Sequence, residues 1–305
     1  MSRGTAGLQD SKHNILLFGA NGQLGTKLGA LLARKGEVRA VGHADLDLRD
    51  LTKLRALLHE TKPTLIVNAA AYTAVDAAES DAANSQLVNA EAPRVMAEVA
   101  HERGALLVHY STDYVFDGTT RAPYTEESPV SPLGVYGTSK LDGERAVAAS
   151  GAVHLILRTA WLYSNRGKNF LNTMLRLAAE RDELRVVNDQ TGSPTYAGLV
   201  ADASVQMLDG MFVNGSLRPE RCGLYHVACR GETTWFGFAR RIIELAGYGE
   251  RVRVLPITTA EYPTPAKRPA YSVLSTAKIE RVFGIRLPDW EEGLKRCLAE
   301  RDTEK

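Results

Sequence analysis

The chain has 305 residues with a net charge of +1, and its composition, 44% hydrophobic and 24% charged, is that of a globular protein. Acidic and basic residues occur in nearly equal numbers and are scattered along the chain, so no basic face is available for nucleic acid or an anionic membrane surface. We therefore expect no nucleic-acid partner and no membrane partner.

Residues 1–13 are expected to form a flexible leader, because they lack the apolar stretch of a secretory signal. No apolar run in the chain approaches the ~20 residues that are needed to cross a bilayer. The cysteines Cys222, Cys229 and Cys297 match neither a disulfide framework nor a zinc-ligand spacing. These features together predict a cytoplasmic protein.

In the first half of the chain, short apolar runs alternate with helical patterns. Strands separated by helices of ten or more residues indicate βαβ units and a parallel sheet. Gly36 suits a left-handed end to the first helix. Strands are expected at 14–18, 38–41, 65–68, 106–110 and 153–158, and helices at 23–35, 51–60, 84–103 and 135–149, with a loop at 111–134.

After Trp161 the alternation is less regular. We expect a Rossmann-type, doubly wound parallel sheet over residues 14–163, and a smaller C-terminal α/β domain over 164–305 that is interleaved with the first. In this second half, helices are expected at 170–180, 199–208, 234–246 and 275–283, apolar runs lie at 186–187, 224–228 and 252–255, and an extended loop covers 263–269.

A glycine-rich loop, Gly19-Ala20-Asn21-Gly22-Gln23-Leu24-Gly25, lies between the first strand and the first helix. Glycines permit the tight turn and the close approach of a pyrophosphate, and the helix N-terminus offers unpaired N–H groups and the positive end of its dipole. The position of the loop therefore predicts a dinucleotide site. The second strand ends in Val41-Gly42-His43-Ala44, without the acid that usually binds the ribose of NAD. Because His43 could face a 2′-phosphate, we expect NADPH as the cofactor, with NADH as the alternative.

Tyr136 and Lys140 are four residues apart and therefore share one face of a predicted helix. Reduction of a ketone needs a hydride on carbon and a proton on oxygen, and a free phenol, with a pKa of about 10, is poorly suited to proton transfer. A Lys cation roughly 5 Å away would favour the phenolate by about 3 kcal/mol, or roughly two pKa units. We expect Tyr136 to act as the acid, with Thr112 supplying a hydroxyl to the substrate carbonyl at the strand edge where such folds bind ligands.

The order of motifs resembles that of the extended short-chain dehydrogenases, and within them the dTDP-4-dehydrorhamnose reductase family, over roughly residues 14–294. The resemblance implies NAD(P)H-dependent reduction at C4 of dTDP-4-dehydro-L-rhamnose, or of another dTDP-4-keto-6-deoxy sugar, with residues 164–305 mainly binding this substrate. Besides the glycine-rich loop and the Tyr136/Lys140 helix, it rests on NAAAYTAVD (68–76), STDYVFDG (111–118), RTAW (158–161), NDQTGSPT (188–195) and Arg268-Pro269.

The resemblance also implies a role for each site residue. It places the cofactor phosphates at Gly22, Gln23 and Leu24 within the loop that Gly19 and Gly25 complete, the adenine at Asp47 and Leu48, and the nicotinamide ribose at Ala69, Ala70, Ala71, Tyr136 and Lys140. It makes Thr112, Tyr136 and Lys140 catalytic, and it places the sugar nucleotide against Thr112, Asp113, Trp161 and Arg268. Some members hold Mg²⁺ with acids after the NDQTGSPT segment, but here the first acid is Asp202, so no metal is expected.

Other activities are compatible with the same scaffold. A dihydrostreptose-type synthase in an antibiotic pathway would share the donor, the nucleotide and the catalytic residues. A dehydratase or epimerase is disfavoured, because DYVF (113–116) follows Thr112 where dehydratases usually have Glu. A non-catalytic NADP-binding subunit, like the regulatory subunit of methionine adenosyltransferase, is disfavoured because Trp161 and the NDQTGSPT segment are retained. The expected assembly is a monomer or a homodimer.

Overall fold

The computed structural model describes residues 13–213 and 216–303, in which strands and helices alternate. The expected leader lies outside the described residues, except for His13, which begins the first strand. The strands are β1 (His13–Phe18), β2 (Gly36–Val41), β3 (Leu65–Asn68), β4 (Leu106–Thr112), β5 (His154–Thr159), β6 (Leu162–Tyr163), β7 (Glu183–Val187), β8 (Thr191–Gly192), β9 (Thr195–Tyr196), β10 (Phe212–Val213), β11 (Ser216–Leu217), β12 (Gly223–His226), β13 (Thr233–Thr234) and β14 (Arg253–Ile257). The α-helices are α1 (Gln23–Leu32), α2 (Leu51–Thr61), α3 (Val75–Ala78), α4 (Ala82–Gln86), α5 (Ala92–Arg103), α6 (Val135–Ala149), α7 (Phe170–Glu180), α8 (Ala197–Met211), α9 (Trp235–Leu245), α10 (Ala277–Phe283) and α11 (Trp290–Thr303).

The central sheet has the strand order β12-β5-β4-β3-β1-β2, and every neighbouring pair in it is parallel. Its inner strands are buried on both faces, which explains their continuous apolar sequences. The expected α/β class with a doubly wound parallel sheet is therefore confirmed. The edge strand β12 comes from the second half of the chain, and α8 packs against α1.

The chain reverses its direction of winding at β1, which lies between β2 and β3. Ligands bind at such a switch point, outside the carboxyl ends of the strands. There the loop after β1 touches the loop after β3, because a Cβ on Gly19 would lie 2.6 Å from the backbone nitrogen of Ala70. Gly19 also has a φ of +73°, so both its space and its conformation require glycine.

Three predicted boundaries differ from the structure. The first helix ends at Leu32, and Gly36 begins β2, so the left-handed helix end expected at Gly36 is wrong. Gly36 serves close strand packing, because a Cβ there would lie 2.0 Å from the carbonyl oxygen of His13. β4 continues to Thr112, which belongs to the strand rather than to the following loop. The helix expected at 84–103 begins earlier, in α4, and contains a π turn over Leu87–Glu91 before α5.

In the second half, the predicted helix at 170–180 is confirmed as α7, and α8, α9 and α10 lie within a few residues of expectation. The apolar runs at 186–187 and 252–255 belong to β7 and β14, which form a separate parallel pair. Helix α11 was not expected from the sequence. None of the helices in the described part of the chain is long and apolar enough to cross a bilayer.

Candidate active site

A cleft of about 1010 Å³ opens at the carboxyl edge of the central sheet. Two of the expected residues, Gly25 and Arg268, do not line it. The expected residues that do are Gly19, Gly22, Gln23, Leu24, Asp47, Leu48, Ala69, Ala70, Ala71, Thr112, Asp113, Tyr136, Lys140 and Trp161.

The glycine-rich loop fits a pyrophosphate. Helix α1 begins after Gly22, which has no side chain to cap it, and its first turn carries no acidic residue. The N–H groups at this helix end are therefore available to an anion. Gly25 lets helix α1 pack closely against the loop, because a Cβ there would lie 2.0 Å from the carbonyl oxygen of Gly19. Asn169 also reaches the loop, donating a 2.8 Å hydrogen bond from Nδ2 to Oε1 of Gln23.

His43, Asp47 and Arg49 line the part of the cleft where the adenine end of the cofactor is expected. Asp45, the first acid after β2, accepts a 2.7 Å hydrogen bond from the backbone N–H of Gly42, so its carboxylate is bound to the protein's own backbone. The side-chain hydrogen bond from Arg49 lowers the pKa of Asp47 to about 2. This end therefore carries a guanidinium at the rim, paired with the Asp47 carboxylate, and a guanidinium can bind a 2′-phosphate.

The helix that carries Tyr136 and Lys140 is fixed against the loop after β3 by Asn89, a buried residue of the π turn. Asn89 accepts a 2.8 Å hydrogen bond from the backbone N–H of Tyr72 and donates a 3.0 Å one to Oγ of Ser139. A Cβ on Gly143 would lie 2.1 Å from the carbonyl oxygen of Asn89, so the helix and the π turn are in direct contact. π turns are frequent at functional sites, and this one joins two walls of the cleft.

The three expected catalytic residues converge in the cleft. Thr112 is the last residue of β4, and its Oγ1 donates a 3.1 Å hydrogen bond to Oδ1 of Asp113. Tyr136 and Lys140 lie one turn apart on α6. Lys140 is buried, and its ammonium donates a 2.6 Å hydrogen bond to the carbonyl oxygen of Tyr110.

The electrostatics differ from the expectation for Tyr136. Burial raises the pKa of Tyr136 to about 12, which a hydrogen bond with Thr112 partly opposes. Burial lowers the pKa of Lys140 to about 8, and the charge of Glu144 opposes that change. In the protein without ligands the pKa of this phenol is therefore raised, where the spacing of Tyr136 and Lys140 predicted a lowering, because burial disfavours a phenolate. Tyr136 is protonated at neutral pH, as a proton donor must be.

Two expected substrate contacts have different surroundings. Burial raises the pKa of Asp113 to about 6, although hydrogen bonds from Ser272 and Thr112 favour the carboxylate. Arg268 forms a 2.8 Å ion pair with Asp76 and ties the 263–269 loop to α3. The contact with the sugar nucleotide expected of Arg268 stays a prediction, because in the protein without ligands its guanidinium is paired with Asp76.

The cleft includes residues that the sequence reading missed, among them Lys168, Asn169, Phe170 and Trp235. Trp235 stacks on Trp161, with ring centroids 3.5 Å apart and ring planes at 2°. No spacing rule connects positions so far apart in the chain, and the only signal is a tryptophan near the start of a predicted helix.

Within residues 13–213 and 216–303, no group of three or more His, Cys, Asp or Glu side chains is arranged to hold a metal ion.

Known proteins resemble this chain over nearly its whole length. Residues 13–303 match the family described as RmlD substrate binding domain. The chain is 46% identical over 290 residues to dTDP-4-dehydrorhamnose reductase of Burkholderia thailandensis, covering 93% of this chain and 97% of the relative. It is 41% identical over 285 residues to a Streptomyces antibioticus protein named as a probable dTDP-4,6-dihydroxy-2-methyloxan-3-one 4-ketoreductase, covering 93% and 94%.

A solved structure has the same fold. The Bacillus anthracis dTDP-4-dehydrorhamnose reductase in complex with NADP matches with a TM-score of 0.88 and 36% identity, over 95% of this chain and 99% of that one. Both the sequence and the structure matches thus extend across the cleft and its walls. The chain belongs to the dTDP-4-dehydrorhamnose reductase family.

Proposed function

We propose that this protein reduces the C4 keto group of dTDP-4-dehydro-L-rhamnose to give dTDP-L-rhamnose, with NADPH as the cofactor and NADH as the alternative. The observation that carries the proposal is the convergence of Thr112, Tyr136 and Lys140 beside the glycine-rich loop in one cleft. Relatives named for this activity, and the NADP complex of the Bacillus anthracis structure, support it.

The side chains of the cleft can hydrogen-bond and protonate the oxygen of the ketone. A bound NADPH supplies the hydride for C4. Thr112 would turn its single hydroxyl proton from Asp113 to the ketone oxygen, and Tyr136, protonated at neutral pH, would give its proton to that oxygen as negative charge develops. Lys140 would stabilise the resulting phenolate, and since an ammonium has three donors it can do so while keeping its bond to Tyr110.

The sugar would lie between the catalytic residues and the side chains of Asp113 and Trp161, which line the same cleft. Asp113 is 2% exposed, so few water molecules can compete for its hydrogen bonds. We also propose a cytoplasmic location, which is supported by the reduced thiols of Cys222 and Cys229.

The test is turnover by the purified full-length chain. Enzymatically prepared dTDP-4-dehydro-L-rhamnose is mixed with NADPH, and separately with NADH, and the absorbance of the reduced nicotinamide is followed. We expect consumption of NADPH and a dTDP-L-rhamnose product in the NMR spectrum. A dihydrostreptose-type product would keep the reaction class and change the pathway. Measurable binding of both ligands without consumption of either cofactor would contradict the reductase proposal and favour an epimerase or a regulatory subunit.

A further inference from the structure

The backbone of Trp161 is unusual. Its φ is +45°, and among the described residues only Lys62 shares a positive φ without being glycine. A bulky side chain avoids this left-handed region, so it persists only where neighbouring groups hold it. Trp161 lies two residues after the end of β5 and lines the cleft, where strained residues often have a functional reason.

The NDQTGSPT segment supplies one set of the contacts that hold Trp161. Gly192 abuts the indole so closely that a Cβ there would lie 2.4 Å from Cε2 and 2.6 Å from Nε1 of Trp161. Thr195 donates a 3.2 Å hydrogen bond from its backbone N–H to the carbonyl oxygen of Trp161. Leu162, the next residue, pairs with Thr195 in a short parallel ladder. This segment therefore fixes both the backbone and the ring of Trp161.

Trp235 supplies the other set of contacts, because its ring stacks on that of Trp161 with the ring centroids 3.5 Å apart. Phe170 lies 4.6 Å from the Trp235 ring and supports it within the same cleft. Trp235 begins α9, which Thr234 caps by accepting a 3.0 Å hydrogen bond from the N–H of Gly237. Thr234 also donates a 2.7 Å hydrogen bond to Oδ1 of Asn188, at the start of the NDQTGSPT segment.

A single two-stranded ladder joins the NDQTGSPT segment to the segment that leads into Trp235. Thr233 pairs with Gly192 and Thr234 pairs with Thr191, so the strand that carries Gly192 lies beside the strand that leads into Trp235. We propose that Gly192 and Trp235 are positioning residues, which together orient the Trp161 indole for contact with the sugar of the substrate. The sugar contact rests on the proposed function, whereas the orientation of the indole does not.

The first test is kinetic, and wild-type turnover is measured before that of any variant. We expect W235A and G192A to raise KM for the keto sugar by roughly tenfold, as loss of an aromatic contact predicts, with the dissociation constant of NADPH unchanged. W235F keeps a ring against Trp161 and should restore most of the lost affinity. W290F is the matched control, because Trp290 is the third tryptophan, is buried and lies outside the cleft lining.

The second test needs no substrate. The chain has three tryptophans, so labelling with 5-fluorotryptophan gives three ¹⁹F resonances, which W161F, W235F and W290F assign. We expect W235A and G192A to shift the Trp161 resonance and to leave the Trp290 resonance in place. A Trp161 resonance that stays unmoved in both variants would overturn the inference, as would an unchanged KM for the sugar or a parallel loss of NADPH binding. Absence of wild-type turnover would instead count against the proposed function, while the spectra would still decide the orientation of Trp161.

Discussion

The ammonium of Lys140 donates its 2.6 Å hydrogen bond to the backbone carbonyl oxygen of Tyr110, two residues before Thr112 on the same strand. Helix α6 is thereby fastened to β4 through the charged group itself. The distance between the helix that carries Tyr136 and the strand that carries Thr112 is therefore set before any ligand binds, which is how a site avoids reorganisation during the reaction.

Substitution of Tyr136 by Phe removes the proton donor and leaves the ring. We expect kcat to fall by about 10²–10⁴-fold while NADPH still binds, because the phenol contributes mainly to proton transfer. Stopped assays with dTDP-4-dehydro-L-rhamnose and a cofactor titration would measure the two effects. Near-normal turnover by Y136F would show that another group is the acid.

The activity should depend on the charge of Lys140. Burial lowers its pKa to about 8, so the ammonium is present below that pH and is lost as the pH rises through it. We expect kcat/KM of the wild type to fall above about pH 8, since the neutral amine no longer stabilises the phenolate. K140R should be slower but flat across this range, because a guanidinium keeps its charge. A wild-type decline that persists unchanged in K140R would have to come from another group.

Arg49 should contribute to the preference for NADPH. It lies at the rim of the cleft beside Asp47, where the adenine end of the cofactor is expected. R49A should raise KM for NADPH more than KM for NADH, because only NADPH carries a phosphate for a guanidinium to bind. R39A is the matched control, since Arg39 lies on β2 in an exposed ion pair with Glu60 and does not line the cleft. Equal effects of R49A on both cofactors would contradict this role.

A buried ion pair should stabilise the catalytic helix. Arg158 of β5 binds Glu144 of α6 through two hydrogen bonds of 2.8 and 2.6 Å, and both side chains are almost fully buried. E144Q would leave the Arg158 charge buried without a counter-ion, so we expect a loss of about 3 kcal/mol in the free energy of unfolding. The exposed pair Arg176–Glu180 offers the control, and E180Q should cost well under about 1 kcal/mol. Denaturant titrations of the two variants would show whether they differ as expected.

The features that the sequence predicted correctly are local. The parallel sheet follows from apolar runs between helical patterns, and the place of the glycine-rich loop before α1 follows from glycines between a strand and a helix. The Tyr136/Lys140 pair follows from the helical period. Each of these signals lies within a few residues of chain, where backbone geometry alone decides which side chains meet.

The features that the sequence did not predict depend on contacts between distant segments. Arg268 pairs with Asp76 of α3, a partner that no local pattern identifies. Trp161 meets Trp235 only because a short ladder brings their segments together. The pKa of Tyr136 follows mainly from burial, which a helical spacing cannot report, so burial raises this pKa where the spacing alone predicts a lowering by Lys140.

Asp113 should make stability depend on pH in the direction opposite to that of an ordinary carboxyl group. Burial raises its pKa from 3.8 to about 6, so between these values the folded chain binds more protons than the unfolded chain. The free energy of unfolding should then fall as the pH rises through this window, by about 3 kcal/mol at neutral pH, because a pKa difference of one between the folded and unfolded chain corresponds to about 1.4 kcal/mol.

The variant D113N has no titrating group at this position, so its stability relative to the wild type should increase from about pH 4 to about pH 7. Thermal unfolding at several pH values would measure that difference. Asp117 offers the control, because hydrogen bonds, the largest from Tyr124, lower the pKa of this carboxyl. D117N should therefore show no gain in relative stability as the pH rises. A D113N curve that runs parallel to that of the wild type would mean that Asp113 is less strongly desolvated in solution than its burial implies.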